Sequence, residues 1–250
     1  MRINTFLSNG SMQQQSWSIV IFCFNEVGTI ASVTERAVKI LQEDMNLEVY
    51  EVLIVDDGST DGSRDIIQQL PAKFASVRYI FHPHNQGIGH ALRTGYFHAQ
   101  YENVCAVPAD GQFDLAELIP FRFVNTQTFI SFYRKENTSY NFFRNSLSAT
   151  NKWVNAWLNG FQLKDVNWVK IYKRAPLLDM NLEIESSLVE SEICAKFLSW
   201  GYQAIEVESK YLQRIAGVSK GSSWKIVRQA IRDTLLLSQV LRRFRKNPSH

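Results

Sequence analysis

The chain has 250 residues, 45% hydrophobic and 20% charged, with a formal net charge of +3. This is an ordinary globular composition with enough apolar side chains for a full core, and its mild positive charge suits an anionic ligand or membrane surface without calling for nucleic acid. No stretch approaches the ~18–20 apolar residues of a membrane span and no signal-peptide core opens the chain, so a cytoplasmic protein, soluble or peripheral on the cytoplasmic face of a membrane, is expected.

Residues 1–16 are polar and read as a mobile tail. Residues 17–24 form a first apolar strand ending in Asn25-Glu26, with a helix over 27–45. Residues 52–55 are an unbroken apolar run, too short for a helix and rich in branched side chains, which predicts a strand buried on both faces. It stops at Asp56-Asp57-Gly58. Ser59, Thr60 or Asp61 can then cap a helix over 63–70 that Pro71 ends. Turn-shaping accounts for one of the two aspartates, and the other is left for a ligand. A third strand spans 77–81, and the His-, Pro- and Asn-bearing loop 82–89 leads into a helix over 90–100. A fourth strand spans 104–107 and ends at Pro108.

Strand and helix thus alternate four times, which predicts an α/β fold: a mostly parallel sheet with right-handed crossovers and helices on both faces. Asn25-Glu26, Asp56-Asp57, the 85–87 loop and Asp110 all follow strands, so they share one sheet edge and suit a nucleotide-sized ligand. No GxGxxG follows the first strand and no Walker A motif is present, which argues against an ordinary dinucleotide site or a P-loop. His82, His84 and His90 crowd one loop but match no zinc spacing. Cys23, Cys105 and Cys194 are distant and odd in number, so they read as core thiols in a reducing compartment.

In the second half, 129–133 reads as a strand before Arg134-Lys135, 141–158 as a helix, 168–172 as a strand and 187–200 as a helix ending at Gly201. Residues 203–207 form another strand and 226–244 a long helix. No linker divides the chain, so one domain over 17–224 is expected, followed by a basic amphipathic helix and tail over 225–250. That helix either lies on an anionic bilayer or packs on the domain, and both readings stay open.

Several ordered pieces carry a family resemblance. They are Phe24-Asn25-Glu26, the run 55–63, Asn85-Gln86-Gly87 with Ala91, the run 109–114, Asp165 before Lys170, Glu192, and Arg214 with the run 217–220. Together they resemble inverting family-2 glycosyltransferases of the GT-A fold, in particular polyprenyl-phosphate sugar synthases of the dolichyl-phosphate mannose synthase type. The resemblance implies a nucleoside-diphosphate sugar donor and a polyprenyl-phosphate acceptor. Phe24, Asn25, Glu26, Asp57, Asn85 and Gly87 would contact the nucleotide, with Asp57 accepting from an N–H of the base. Asp110 and Gln112 would hold a divalent metal, Mg or Mn, on the diphosphate. Arg214 and Lys220 would close over that diphosphate, and His90 would lie near it. Arg134, Arg144 and Ser148 would hold the acceptor phosphate.

One departure is plain: Pro108 stands where the family's Asp-x-Asp motif has its first carboxylate, which implies weak metal binding. A phosphate acceptor needs little base catalysis, whereas a glycan hydroxyl needs a carboxylate. Glu190 and Glu192 point about 200° apart on a helix, so only one can face the cleft. The resemblance selects Glu192, with Asp165 as a second acidic candidate. Alternatives are transfer to a glycan hydroxyl, or a catalytically weakened nucleotide-sugar-binding protein.

Overall fold

The apolar runs become strands because a buried strand needs partners on both edges, and here they supply each other. The computed structural model describes residues 15–134, 163–213 and 224–246, with side chains in the last segment described from 232. The polar tail expected over residues 1–16 is therefore almost wholly outside them, as are the helix expected over 141–158, Arg144, Ser148, Arg214 and Lys220.

Among the described residues, seven strands form one sheet. They are β1 (Trp17–Cys23), β2 (Tyr50–Asp56), β3 (Val77–Phe81), β4 (Asn103–Pro108), β5 (Thr128–Arg134), β6 (Lys170–Lys173) and β7 (Gln203–Ser209). Their order is β3-β2-β1-β4-β6-β5-β7. β1 pairs in parallel with β2 on one edge and β4 on the other, with Cys23 opposite Asp56 and Phe22 opposite Pro108. β6 is antiparallel to both of its neighbours, and β7 runs parallel to β5.

Side chains of alternate parity feed two cores. Ile19, Ile21, Val52 and Ile54 meet α1 (Ile30–Lys39) and α2 (Ser63–Lys73) on one face. Val20, Leu53 and Val104 meet α3 (Ile88–His98) and α5 (Val189–Ser199) on the other. Each such side chain contributes about 1.5–3 kcal/mol on burial. A short helix, α4 (Arg174–Asp179), follows β6, and α6 (Trp224–Lys246) lies against α5 through Leu237 and Leu241.

Two boundaries differ from expectation. Pro71 does not stop α2, which runs on to Lys73. The expected cap is also displaced: Gly62, at φ 95°, precedes the helix, while the Asp61 carboxylate accepts the Ser63 N–H.

The loops at the carboxyl edge are tied to one another. The Asn25 N–H donates to Ser59 Oγ (2.8 Å), the Glu26 N–H to Ser63 Oγ (3.0 Å) and the Val27 N–H to Asp61 Oδ2 (3.0 Å). Gly58, at φ +78°, lets the β2 loop touch the backbone of residues 84–85, for an added Cβ would lie 2.4 Å from the His84 carbonyl carbon. Gly58→Ala is therefore expected to cost at least ~2 kcal/mol, from left-handed strain plus overpacking. An unchanged urea midpoint would show that the two loops are not in contact.

Candidate functional site

Parallel pairing on both sides of β1 brings Asp57 and Asp110 to the same sheet edge, flanking its end. The Asp57 N–H donates to the Cys23 carbonyl and the Ala109 N–H to the Phe22 carbonyl. The antiparallel β6 then delivers its entry turn to that edge, because Lys170 pairs with Ala106 of β4 and Ser131 of β5. Asp110, Arg134, Asp165 and Lys170 are thereby collected.

The two aspartates after β2 divide their work. Asp56 is fully buried, and its Oδ2 accepts from the Ser59 N–H (3.1 Å) and from Arg64 Nε (2.7 Å), so it shapes the turn. Asp57 is 3% exposed. It accepts from the backbone N–H groups of Gln86 (2.9 Å) and Gly87 (2.8 Å) and sits 2.8 Å from His82 Nδ1. The other His82 nitrogen meets Thr94 Oγ1 (2.9 Å). Asp57 thus holds the 82–87 loop. His82, read from sequence as a loop residue, is a buried bridge, while His90 lies 3.7 Å from Glu185.

Asn25 takes a left-handed backbone (φ 58°) and its Oδ1 accepts the Thr60 N–H, so its side chain closes the loop. Phe24 and Glu26 are half-buried at the same edge. Asn85 and Gly87 lie on the loop that Asp57 holds.

A cavity of about 360 Å³ opens beside Asp110. Pro108, Asp110, Arg134, Trp168, Ser187 and Glu190 line it. Asp110 is 8% exposed and its Oδ1 accepts the Gln112 N–H (3.1 Å). Gln112 Nε2 donates to Tyr211 Oη (2.6 Å), leaving its amide oxygen outside that bond. One carboxylate and one amide are hard oxygen donors of the kind Mg or Mn takes. Among the described residues no group of three His, Cys, Asp or Glu is placed to hold a metal.

Arg134 and Asp165 come together as a fork: Arg134 Nε lies 2.7 Å from Asp165 Oδ2, and Nη2 lies 3.3 Å from Oδ1. The guanidinium also lies over Trp168, 4.7 Å from the ring centroid. Asp165, expected as a second acidic candidate, is occupied in positioning Arg134. Lys170 is buried and donates to the carbonyls of Asp165 (2.8 Å) and Trp168 (3.0 Å), which fixes this turn.

The choice between the two glutamates is corrected. Glu192 is 0% exposed, and its carboxylate accepts from the N–H groups of Glu183 and Ile184 and from Lys196 Nζ (2.7 Å). It anchors the chain before α5 and does not line the cavity. Glu190, one of the pair but not the one selected, does. It accepts from Tyr96 Oη (2.5 Å) and Tyr172 Oη (2.8 Å). Burial pushes its carboxyl above the usual range, and Lys170 and the two tyrosines offset this only in part. Burial likewise raises both tyrosines far above their ordinary values, so they remain hydroxyl donors.

Glu192→Ala is expected to destabilise the fold by ~3–5 kcal/mol, because it leaves Lys196 buried without its partner. Chemical denaturation measures this, and a wild-type midpoint would mean that the 181–184 turn has other anchors.

Comparison with known proteins bears on the same residues. Residues 18–121 match the family model described as glycosyl transferase family 2. A dolichyl-phosphate beta-glucosyltransferase of Saccharomyces cerevisiae is 32% identical over 99 residues, which is 38% of this chain and 29% of that protein. Its Trichomonas vaginalis counterpart is 28% identical over 98 residues, 30% of its length. The match thus spans under a third of these relatives. Glucosyl-3-phosphoglycerate synthase of Mycobacterium tuberculosis, solved with Mn2+, UDP and glucosyl-3-phosphoglycerate, superposes with a TM-score of 0.61 at 17% identity. That alignment covers 90% of this chain and 80% of the other. The edge that gathers Asp57 and Asp110 is built within residues 18–121, the stretch that matches the glycosyl transferase family 2 model, and the chain shares the GT-A fold of that synthase.

Proposed function

We propose that the protein transfers a sugar from a nucleoside-diphosphate donor to a polyprenyl phosphate, with inversion at the anomeric carbon. The observation that carries this is the meeting of Asp57 and Asp110 around the end of β1, with the Arg134-lined cavity beside Asp110. The yeast and Trichomonas relatives named as dolichyl-phosphate glucosyltransferases support the acceptor class. The nucleoside lies along the loops after β1 and β2, with the diphosphate at Asp110 and Gln112.

In the reaction an acceptor phosphate oxygen attacks the anomeric carbon in line with the bond to the diphosphate, which leaves with the electron pair. The acceptor is already ionised, so no residue has to take its proton. Arg134, oriented by Asp165 and Trp168, presents a fixed cation to the phosphates. Asp110 and Gln112 would hold a divalent cation, which would supply neutralising charge for the leaving diphosphate. Arg144, Ser148, Arg214 and Lys220 retain their proposed phosphate roles from the sequence resemblance.

A thermal-shift series with UDP- and GDP-sugars, with and without manganese, tests this reading. A true donor at 100 times its Kd should stabilise the fold by about 2.7 kcal/mol. Asp110→Ala should remove the manganese-dependent part of that shift. If no nucleotide sugar shifts the melt, the donor assignment is wrong.

We also propose that α6 holds the protein at an anionic membrane. No helix among the described residues is long and apolar enough to cross a membrane. The inner face of α6 is packed, with Leu237, Val240 and Leu241 buried and Phe244 against Trp200, while the exposed Arg243 pairs with Glu183. Its outer face carries Arg232, Arg242 and Lys246, together with Leu235, which is 59% exposed. Basic side chains near such a surface contribute ~1 kcal/mol each. Reversing Arg242 and Lys246 to Glu together should lower sedimentation with phosphatidylserine-rich vesicles by roughly tenfold or more. Binding equal to wild type would leave α6 as a packing helix only.

A further inference from the structure

We propose that Tyr211 is a positioning residue for Gln112: its hydroxyl takes the nitrogen of the Gln112 side-chain amide, and so leaves the amide oxygen as the end that a divalent cation would meet. This rests on the glycosyl-transfer reading above, in which Asp110 and Gln112 hold the cation of the donor's diphosphate, and adds a residue to it.

An amide is a weak partner for a cation unless its orientation is set. Only its oxygen can ligate, while its nitrogen carries N–H groups that would face the cation with the wrong sign. The two ends have nearly the same shape, and the terminal torsion of a Gln side chain is broad and roughly two-fold. At Gln112 the choice is made by Tyr211, whose Oη accepts from Nε2 at 2.6 Å. The phenol oxygen and a cation would then take opposite ends of one amide, so each favours the orientation that the other needs.

Tyr211 lies 99 residues beyond Gln112, yet its place is built on both sides. After β7 the Lys210 N–H donates to Glu117 Oε1 (2.7 Å), Tyr211 pairs antiparallel with Phe113, and the Leu212 N–H donates to the Gln112 carbonyl (3.0 Å). The chain on either side of Tyr211 is thus bonded to the turn that carries Gln112. The phenol ring packs on Trp168, with ring centroids 5.6 Å apart, and the Arg134 guanidinium lies 5.8 Å from its own centroid. Backbone and ring therefore fix the phenol without the hydroxyl, and a phenylalanine would fill the same space.

That separation makes the role testable. Mn2+ affinity is measured with saturating UDP, and in parallel with saturating GDP, from the electron paramagnetic resonance of free Mn2+. Tyr211→Phe keeps the ring and removes the hydroxyl. It should raise the Kd for Mn2+ by roughly 10- to 100-fold, the usual effect of losing a group that orients a metal ligand, with metal-free affinity for the diphosphate unchanged. Made together with Gln112→Glu, the same substitution should have no such effect, because both ends of a carboxylate are oxygens. A merely structural role would raise the Kd equally in both backgrounds. That result, or an unchanged Kd in Tyr211→Phe alone, would overturn the proposal. If the wild type binds no Mn2+ with either diphosphate, the cation assignment of Asp110 and Gln112 is wrong and the inference falls with it. A melt that still shifts with a nucleotide sugar would then leave the donor reading standing.

Discussion

Strand β1 constrains everything at the site. It is hydrogen-bonded in parallel on both edges and buried on both faces, so a shift in its register would turn its apolar side chains from one core to the other. With the register set, the ends of β2 and β4 must emerge on either side of its own end. Asp57 and Asp110 meet there because the chain has nowhere else to put them. The reversed strand β6 extends the arrangement. A parallel strand in its place would carry its entry turn to the far edge, and Asp165, Trp168 and Lys170 would leave the site.

The loops on this edge are held by side chain-to-backbone bonds rather than by apolar packing. Ser59, Asp61 and Ser63 of the β2 loop satisfy three consecutive N–H groups after β1, and Asp57 satisfies two more after β3. Backbone groups left unsatisfied at a half-buried edge are costly, so each of these residues has a structural reason to be polar. This changes the meaning of the Asp-Asp-Gly-Ser-Thr-Asp-Gly-Ser run. Much of it builds the rim of the groove, and Gly58 supplies the close approach that no side chain would permit.

The strands and their shared edge could be read from the chain because their signals are local: apolar runs of strand length that end in turn residues. Asp57 and Asp110 were legible for the same reason. What their carboxylates touch was not, since His82, Gln86 and Gly87 lie 25 or more residues beyond Asp57. The glutamates show the limit most clearly. Helix geometry says that Glu190 and Glu192 face opposite ways, but the phase of the helix on the sheet is a tertiary fact. It is set by the 181–184 turn docking on Glu192 and by Tyr96 and Tyr172 reaching Glu190. An exposed-looking polar helix start, Val-Glu-Ser-Glu, conceals two buried carboxylates with unrelated tasks. The Arg134–Asp165 fork was hidden for a similar reason, its partners being 31 residues apart.

Pro108 ends β4 opposite Phe22 and lines the cavity with Asp110 and Glu190, so a carboxylate at that point would add a third acidic group to its wall. Three acidic groups around one small cavity would repel one another unless a tightly held cation sat among them. With proline there, the negative charge is confined to Asp110 on one part of the wall and Glu190 on another, and Arg134 lies on the same wall. The charge on this wall is therefore set by Asp110, Glu190 and Arg134 together, within a cavity of about 360 Å³.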